Sequence, residues 1–574
     1  MQGPRAENLS PLQRADWNYE RAAHLLERAG FGGTPAEIER LTAMGTEQAV
    51  ASLVDYVGVD HSHLSPFEES GFWDPSLKDF PVSRPAATSQ AERAGEAMGV
   101  RVKPDGARPL QPVTNRFFFW LRASVLETRR LAFWWADRMV RTTRPLEEKM
   151  TLFWHGHFAT SEEKLRDYRK IMLQLETLRA GATGNFGDLL VAVAKDPAML
   201  VFLDAAQNVK GAPNENFGRE VMELFTMGVG NYSEDDIREA ARAFTGWGND
   251  DLTFVVDPTL HDGGTKTFLG RTGNFTGEDI LRIILEQPQT AVYIATKLYR
   301  FFVREEVSPD FAIQLGALLR DGGYEIAPFL TTVFLSEDFY SEPSLGSHIK
   351  SPTELLVSTY RKLGLAALPG IPDPHTVSKT LGQVLLYPPT VAGWGQGRSW
   401  ITPGLLFERG NFAREVMFPN IIDFRDPNHD PGGEVRRVNR NIIAGMEITA
   451  ATLEEGAAPS TAEGIQESFN TRYASLSGYQ EALRKLKPTL RAAAQFSLSD
   501  IVTDAGAQTT DQAVDALLRQ FLRVPVTPPA REALIATLDE QLGTSQLAEA
   551  QTYMEHALRL VAHLIMSSPQ YQLA

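Results

Sequence analysis

The sequence has no cysteine among its 574 residues. Disulfides, thiolate nucleophiles, iron–sulfur clusters and cysteine-based zinc sites are therefore excluded. A metal bound to this chain would have to use histidine, aspartate or glutamate side chains, carbonyl groups or water as ligands.

Long apolar runs and long basic runs are also absent. The most apolar stretch, residues 189–203, is interrupted by Lys195, Asp196 and Pro197 and falls short of the roughly 20 residues that a membrane-spanning helix needs. No signal peptide is visible at the start, so the sequence as given predicts a cytoplasmic protein without a membrane span. The formal net charge of −16 disfavours binding to nucleic acid or anionic lipid.

The motifs of several enzyme classes are missing as well. We find no Gly-x-x-x-x-Gly-Lys phosphate loop, no Gly-x-Ser-x-Gly elbow, no His-Glu-x-x-His helix and no complete Gly-x-Gly-x-x-Gly fingerprint. The sequence therefore predicts no nucleotide cofactor.

Helical periodicity is the strongest positive signal in the sequence. Residues 18–29, for example, place Leu25 and Leu26 on an apolar face before a glycine ends the pattern. The period changes only briefly, at residues 252–256 and 266–269, which we expect to pair as one hairpin. The fold class predicted is mainly α, a multi-helix bundle-like architecture with a small β-hairpin insertion.

Shifts in composition divide the chain into four predicted regions. Residues 1–60 form an N-terminal helical region, and residues 61–111 form a loop-rich insertion with many Pro, Ser and Gly residues. Residues 112–419 form a helical core that carries the polar motifs. Residues 420–574 form a C-terminal helical region packed on that core.

The first polar motif is WHGHF at residues 154–158. A His-x-His pair is a common way to hold a metal on a strand, but on a helix the two imidazoles diverge by about 200°. The preceding segment predicts a helix that Gly156 ends, and in a turn His155 and His157 can still converge. The alternative is two histidines that form hydrogen bonds at a helix end.

The second polar motif is PNENFGREVMELF at residues 213–225. Helical spacing places Arg219, Glu220 and Glu223 on one face, together with Asn216. Two carboxylates one turn apart can bind a metal or perform acid–base chemistry. The alternative is a salt-bridged surface in which Arg219 pairs with the glutamates on either side.

The third polar motif is a Gly-rich loop that begins with His261 and Asp262. The pair can contribute a metal ligand or a base, although such loops are more often turns closed by an Asx hydrogen bond. Arg242 is a fourth candidate, which with Trp247 would line a pocket or stack on the indole ring.

In these motifs the chain resembles the large bacterial family known as domain-of-unknown-function family 1800. The resemblance follows the chain in order, through residues 24–32, 154–158, 213–226, 240–247, 261–262, 266–270, 388–394 and 568–571. It implies a predominantly helical fold and a shared site that includes the three polar motifs. It also implies a functional partner from a sulfatase-like family, because family members are encoded beside one, but it identifies no substrate.

The leading hypothesis is a metal-dependent enzyme that binds Zn, Mn, Fe or Cu, with hydrolysis favoured over oxidation because of the sulfatase-like neighbour. The predicted metal ligands are His155, His157, His261 and Asp262. The predicted catalytic residues are Glu220, Glu223, Arg219 and Arg242, with the glutamates also able to supply ligand oxygens and the arginines holding an anionic substrate group.

Two other hypotheses are compatible with the same residues. In the first, the protein is a non-catalytic helical binding or scaffold protein whose polar motifs form a structural hydrogen-bond network. In the second, Glu220 or Glu223 performs acid–base catalysis with His155 or His157 and no metal takes part.

Overall fold

The computed structural model describes residues 5–75, 111–419, 471–489 and 492–574. Most of these residues lie in helices, and the described strands form two small antiparallel sheets, which confirms the predicted mainly α fold. The four predicted regions stay a prediction. Much of the loop-rich insertion, at residues 76–110, and the start of the C-terminal region, at residues 420–470, lie outside the described residues.

The helices of the first half surround the polar motifs. They are α1 (Tyr19–Ala29), α2 (Pro35–Met44), α3 (Thr46–Val54), α4 (Gln111–Arg141), α5 (Pro145–His157), α6 (Glu162–Leu165), α7 (Tyr168–Ala180), α8 (Phe186–Ala194), α9 (Pro197–Phe202), α10 (Glu215–Glu223) and α11 (Glu234–Ala243).

Four short strands follow, and they pair differently from the single predicted hairpin. The strands are β1 (Trp247–Asp250), β2 (Thr253–Val256), β3 (Lys266–Phe268) and β4 (Arg271–Gly273). β1 pairs with β2 and β3 pairs with β4, so residues 252–256 do not pair with residues 266–269. The reason is local: Asp251, Leu269 and Gly270 take positive φ angles of 54°, 47° and 77°, which close each strand onto its nearest neighbour through a two-residue turn.

The remaining helices complete the described chain. They are α12 (Gly277–Leu285), α13 (Pro288–Phe302), α14 (Pro309–Asp321), α15 (Ile326–Leu335), α16 (Pro352–Lys362), α17 (Pro374–Leu381), α18 (Pro403–Met417), α19 (Thr471–Lys485), α20 (Leu498–Asp504), α21 (Thr510–Phe521), α22 (Pro528–Leu542), α23 (Leu547–Ala550) and α24 (Met554–Ser567). No helix in the described part of the chain is both long enough and apolar enough to cross a membrane.

Helix α5 lies between the two main hydrophobic cores. Its Met150 and Trp154 belong to the core that joins α1–α3 with α8 and α10–α15. Its Leu152 belongs to the core that joins α4 and α7 with α16–α18 and α20–α24. Because both faces of α5 are covered, almost every residue of this helix is buried. The WHGHF motif therefore lies at the centre of the molecule.

A buried ionic cluster connects α1 to the C-terminal helices. The Glu27 carboxylate lies 3.2 Å from Lys350 Nζ, 3.0 Å from Lys362 Nζ and 3.3 Å from Arg523 Nε. Burial alone would raise the pKa of Glu27, but the three cations outweigh it and hold the pKa well below its ordinary value. The cluster explains why the buried part of α1 carries a glutamate.

Candidate functional site

His155 is fixed between two tryptophans at the end of α5. Its Nε2 accepts a hydrogen bond of 3.2 Å from the backbone N–H of Leu386. The ring centroids of Trp135 and Trp394 lie 5.5 Å and 5.2 Å away, both edge-on. Burial lowers the pKa of His155 to about 3, so the imidazole is neutral. Because the Nε2 lone pair already accepts the Leu386 N–H, this nitrogen is not free to bind a metal.

His157 faces a different part of the molecule, because α5 runs through His157 rather than ending at Gly156 as expected. Its Nε2 lies 3.1 Å from the carbonyl oxygen of Phe225 and must carry the ring hydrogen there. Nδ1 is then an acceptor, and it is buried without a hydrogen-bond partner. Burial and the nearby charge of Lys297 both lower the pKa of His157.

His261 and Asp262 lie in the loop between β2 and β3. The His261 Nδ1 is 2.9 Å from the carbonyl oxygen of Thr245. Asp262 accepts two hydrogen bonds from Arg242, at 2.8 Å and 3.3 Å, and one of 2.8 Å from the backbone N–H of Gly264. The Arg242 guanidinium, against a small effect of burial, lowers the pKa of Asp262 to about 2. The structure thus brings Arg242 and Asp262 together, in a loop closed by an Asx hydrogen bond.

Arg242 does not stack on Trp247. Its guanidinium is held by Asp262 and by Glu239, whose carboxylate lies 2.9 Å away. Trp247 is 3% exposed and packs edge-on against Phe244 and Phe254, with ring centroids 5.0 Å apart in each pair. The indole is therefore part of the core.

Within the described ranges, no three His, Asp or Glu side chains are grouped so that they could hold a metal ion. His157 and His261 each direct one nitrogen at a backbone carbonyl, which leaves the other ring nitrogen free in the way that metal-binding histidines often show. The predicted divalent metal and its four ligands stay a prediction.

On helix α10, Arg219 forms ion pairs with neither Glu220 nor Glu223 among the described contacts. Arg219 pairs with Glu215 at 3.2 Å and with Glu234 at 2.9 Å. Glu223 accepts a hydrogen bond of 2.7 Å from the hydroxyl of Tyr232. Glu220 is half-buried, and its carboxyl group has no hydrogen-bond or ion-pair partner among the described residues. Burial and the charge of Glu223 raise the pKa of Glu220, against the charge of Arg219, which lowers it.

The N-terminal end of α10 contacts the segment that borders a surface cleft. Asn216, one turn before Glu220, donates a hydrogen bond of 3.2 Å to the carbonyl oxygen of Leu203. The adjacent Phe202 lines a cleft of about 380 Å³, which is also lined by Ser161, Glu163, Lys164, Arg166, Pro388 and Pro389. Residues 388 and 389 of the family pattern line the cleft, and α10 contacts the residue that follows Phe202.

Lys297 is a polar residue that the sequence analysis did not single out. It lies on α13, half-buried, with its Nζ 3.5 Å from the hydroxyl of Tyr293. Burial lowers the pKa of Lys297 to about 8, and no carboxylate in the described part of the chain forms an ion pair with it. The only signal in the sequence is a lysine between the apolar residues Ile294 and Leu298, which is also typical of an ordinary amphipathic helix.

Glu162 is a second polar residue that the sequence did not reveal. Its carboxyl group is buried, accepts a hydrogen bond of 2.5 Å from the hydroxyl of Ser124, and has a second oxygen without a partner. Burial, more than any neighbouring charge, raises the pKa of Glu162 to about 8. Its chain neighbours Ser161 and Glu163 line the cleft.

Comparison with known proteins gives one match. No curated protein and no solved structure matches the chain. The family model described as "Protein of unknown function (DUF1800)" matches residues 24–573, a range that contains all the motifs described above. The chain therefore belongs to this DUF1800 family.

Proposed function

We propose that the protein is a hydrolase in which Glu220 and Glu223 form the acid–base pair. The observation that carries this proposal is the state of Glu220. Its carboxyl group is half-buried and unpaired within the described residues, and it lies one helical turn from a second carboxylate. Most structural carboxylates of this kind are engaged by an arginine or a backbone N–H, and this one is available to a substrate.

The surroundings of the two carboxyl groups suit opposite roles. The raised pKa of Glu220 favours its protonated form, which can donate a proton to a leaving-group oxygen. Glu223, oriented by the Tyr232 hydroxyl, can take a proton from an attacking water. Water then supplies the oxygen of the new bond, while one proton enters at Glu223 and another leaves from Glu220.

The cleft beside Phe202 is the proposed entrance for the substrate. Its volume of about 380 Å³ falls within the range of small-molecule sites. Lys164 and Arg166 line the cleft, although Lys164 is already paired with Asp204 at 2.8 Å.

The metal-dependent form of the hypothesis is a second proposal with its own support. His157 and His261 each keep one ring nitrogen without a protein partner in the described chain. Because no three His, Asp or Glu side chains of the described residues are grouped around one point, a cation at either histidine would need further ligands from water or substrate. Zn, Mn, Fe and Cu are all compatible with such nitrogen and oxygen ligands.

A screen for hydrolysis tests the proposal. The wild-type protein and the variants Glu220→Gln, Glu223→Gln and Glu215→Gln are assayed against chromogenic phosphate, sulfate, carboxylate and glycoside esters. We expect the first two variants to lower kcat by about 10²–10⁴-fold, because each removes a proton-transfer group. Glu215→Gln is the matched control, since this glutamate lies on the same helix but only pairs with Arg219.

The same screen separates the competing hypotheses. Activity that survives a chelator supports the metal-free pair, and activity that is lost and then restored by Zn, Mn, Fe or Cu supports the metal-dependent form. A folded protein that hydrolyses none of the substrates would contradict the proposal and favour a scaffold protein. Full activity in Glu220→Gln would contradict the proposed acid–base pair.

A further inference from the structure

Among the described residues, no carboxylate forms an ion pair with Lys297, whose Nζ lies 5.2 Å from the ring centroid of Tyr293. Within the described residues, its hydrogen-bond partner is the Tyr293 hydroxyl at 3.5 Å, a long contact. Lys195 shows the usual arrangement of a lysine on this protein, with Glu278 at 3.0 Å. A half-buried ammonium group loses hydration, and a bound anion would replace the missing counter-charge.

His157, whose pKa is lowered in part by the charge of Lys297, provides an unused acceptor. Because Nε2 donates to the carbonyl oxygen of Phe225, Nδ1 must be the unprotonated nitrogen. The residue is 3% exposed and Nδ1 has no partner in the described structure. A buried acceptor without a donor destabilises the protein, and a hydroxyl group of a ligand would supply the missing hydrogen bond.

His157 and Tyr293, the residue that Lys297 contacts, both bind the backbone immediately after Glu223. Tyr293, which contacts Lys297, donates a hydrogen bond of 3.0 Å to the carbonyl oxygen of Leu224. His157 is bound to the next carbonyl, that of Phe225. The side chains of Tyr293 and His157 therefore meet at adjacent carbonyl groups just after Glu223, and Lys297 lies beside Tyr293.

From this juxtaposition we infer that Lys297 and His157 form a substrate subsite for a group that has a negatively charged oxygen and a hydroxyl on the same or adjacent atoms. A monohydrogen phosphate and an α-hydroxycarboxylate share this chemistry. Lys297 Nζ donates to the charged oxygen, and the hydroxyl donates to His157 Nδ1. The inference rests on the proposed function, because the bound group would be part of the substrate on which Glu220 and Glu223 act.

Protection of Lys297 from acetylation tests the subsite without any turnover. The wild-type protein is acetylated briefly in the presence of one of four ions, at constant ionic strength and with chloride as the reference. The ions form two pairs: phosphate with sulfate, and glycolate with acetate. The acetylated fraction of Lys297 is measured by mass spectrometry. At a concentration ten times its Kd, phosphate or glycolate should slow the acetylation of Lys297 about tenfold. Sulfate and acetate, which lack the hydroxyl group, should protect Lys297 much less. Lys210, which is exposed, is the control in the same chain.

The outcomes are separable from those of the hydrolysis screen. Protection by phosphate alone identifies a phosphate group, and protection by glycolate alone identifies a hydroxycarboxylate. Equal labelling of Lys297 in all the ions would overturn the subsite even if Glu220→Gln abolishes hydrolysis. Equal protection by sulfate and phosphate would contradict the role of His157, because sulfate has no hydroxyl group to donate to Nδ1. The folded variant Lys297→Met should lose any thermal stabilisation that the protecting ion gives the wild type.

Discussion

Replacing Glu27 by glutamine tests the buried ionic cluster. The substitution keeps the shape of the side chain and removes its charge. Lys350, Lys362 and Arg523 then remain in the interior, at distances of 3.0–3.3 Å from a neutral amide. Because Glu27 is 2% exposed, water cannot replace the missing carboxylate.

The expected loss follows from the cost of an uncompensated buried charge. Removing one partner of a buried ion pair typically costs about 3–5 kcal/mol. The matched control is Glu39→Gln, which removes a carboxylate 2.9 Å from Arg519 where the two side chains are 60% and 51% exposed. An exposed pair of this kind contributes at most about 1 kcal/mol. The two substitutions should therefore lower the free energy of unfolding by amounts that differ by several kcal/mol. Each replaces one glutamate, and the two glutamates contact nearby arginines, Arg523 and Arg519.

Urea unfolding followed by circular dichroism measures both variants. We expect the midpoint of Glu27→Gln to fall clearly below that of the wild type, and the midpoint of Glu39→Gln to stay close to it. Equal midpoints for Glu27→Gln and the wild type would refute the reasoning, because the three cations would then need no counter-charge.

Two further predictions concern buried groups near the site. His155→Ala removes the acceptor of the Leu386 N–H and leaves a cavity between two tryptophans, so the free energy of unfolding should fall by about 2–4 kcal/mol in urea titrations; an unchanged stability would contradict the structural role. The pKa of Glu162, about 8, lies above its ordinary value of 4.5, so the folded state holds the proton more tightly and stability should fall as pH rises between these values. In calorimetric scans, Glu162→Gln should show a smaller loss of stability over this pH range than the wild type. An identical pH dependence in the two proteins would contradict the raised pKa of Glu162.

The helices could be predicted from the sequence because their signals are local. Residues 18–29 gave a predicted helix that is observed as Tyr19–Ala29. Thr34 forms a capping box with Glu37, and Pro35 occupies the first turn as its position suggests. Such signals require only neighbouring residues, so the chain displays them before it folds.

The pairing of the strands was wrong because it depends on turn conformations. An aspartate such as Asp251 tolerates a positive φ angle, but Leu269 takes one of 47° without any signal in the sequence. Strand propensity alone could not decide between the nine-residue connection 257–265 and two tight turns.

The site could be predicted only in part because its contacts join distant segments. The family motifs indicated Glu220 and Glu223, and helical spacing correctly placed them one turn apart. The sequence could not show that His155 contacts residue 386, 231 positions away, or that Tyr293 brings Lys297 to Leu224, 69 positions away from Tyr293. These contacts follow from helix packing, which also leaves Lys297 without a carboxylate partner among the described residues.

The pH dependence of kcat/KM in the wild type and in Glu220→Gln tests the acid–base pair most directly. The substrate is the best chromogenic ester from the hydrolysis screen, with Glu215→Gln as the control. We predict that wild-type kcat/KM decreases at high pH as Glu220 loses its proton, and that Glu220→Gln has a low kcat/KM without this decrease. An unchanged alkaline decrease together with wild-type rates in Glu220→Gln would contradict the proposed role of Glu220.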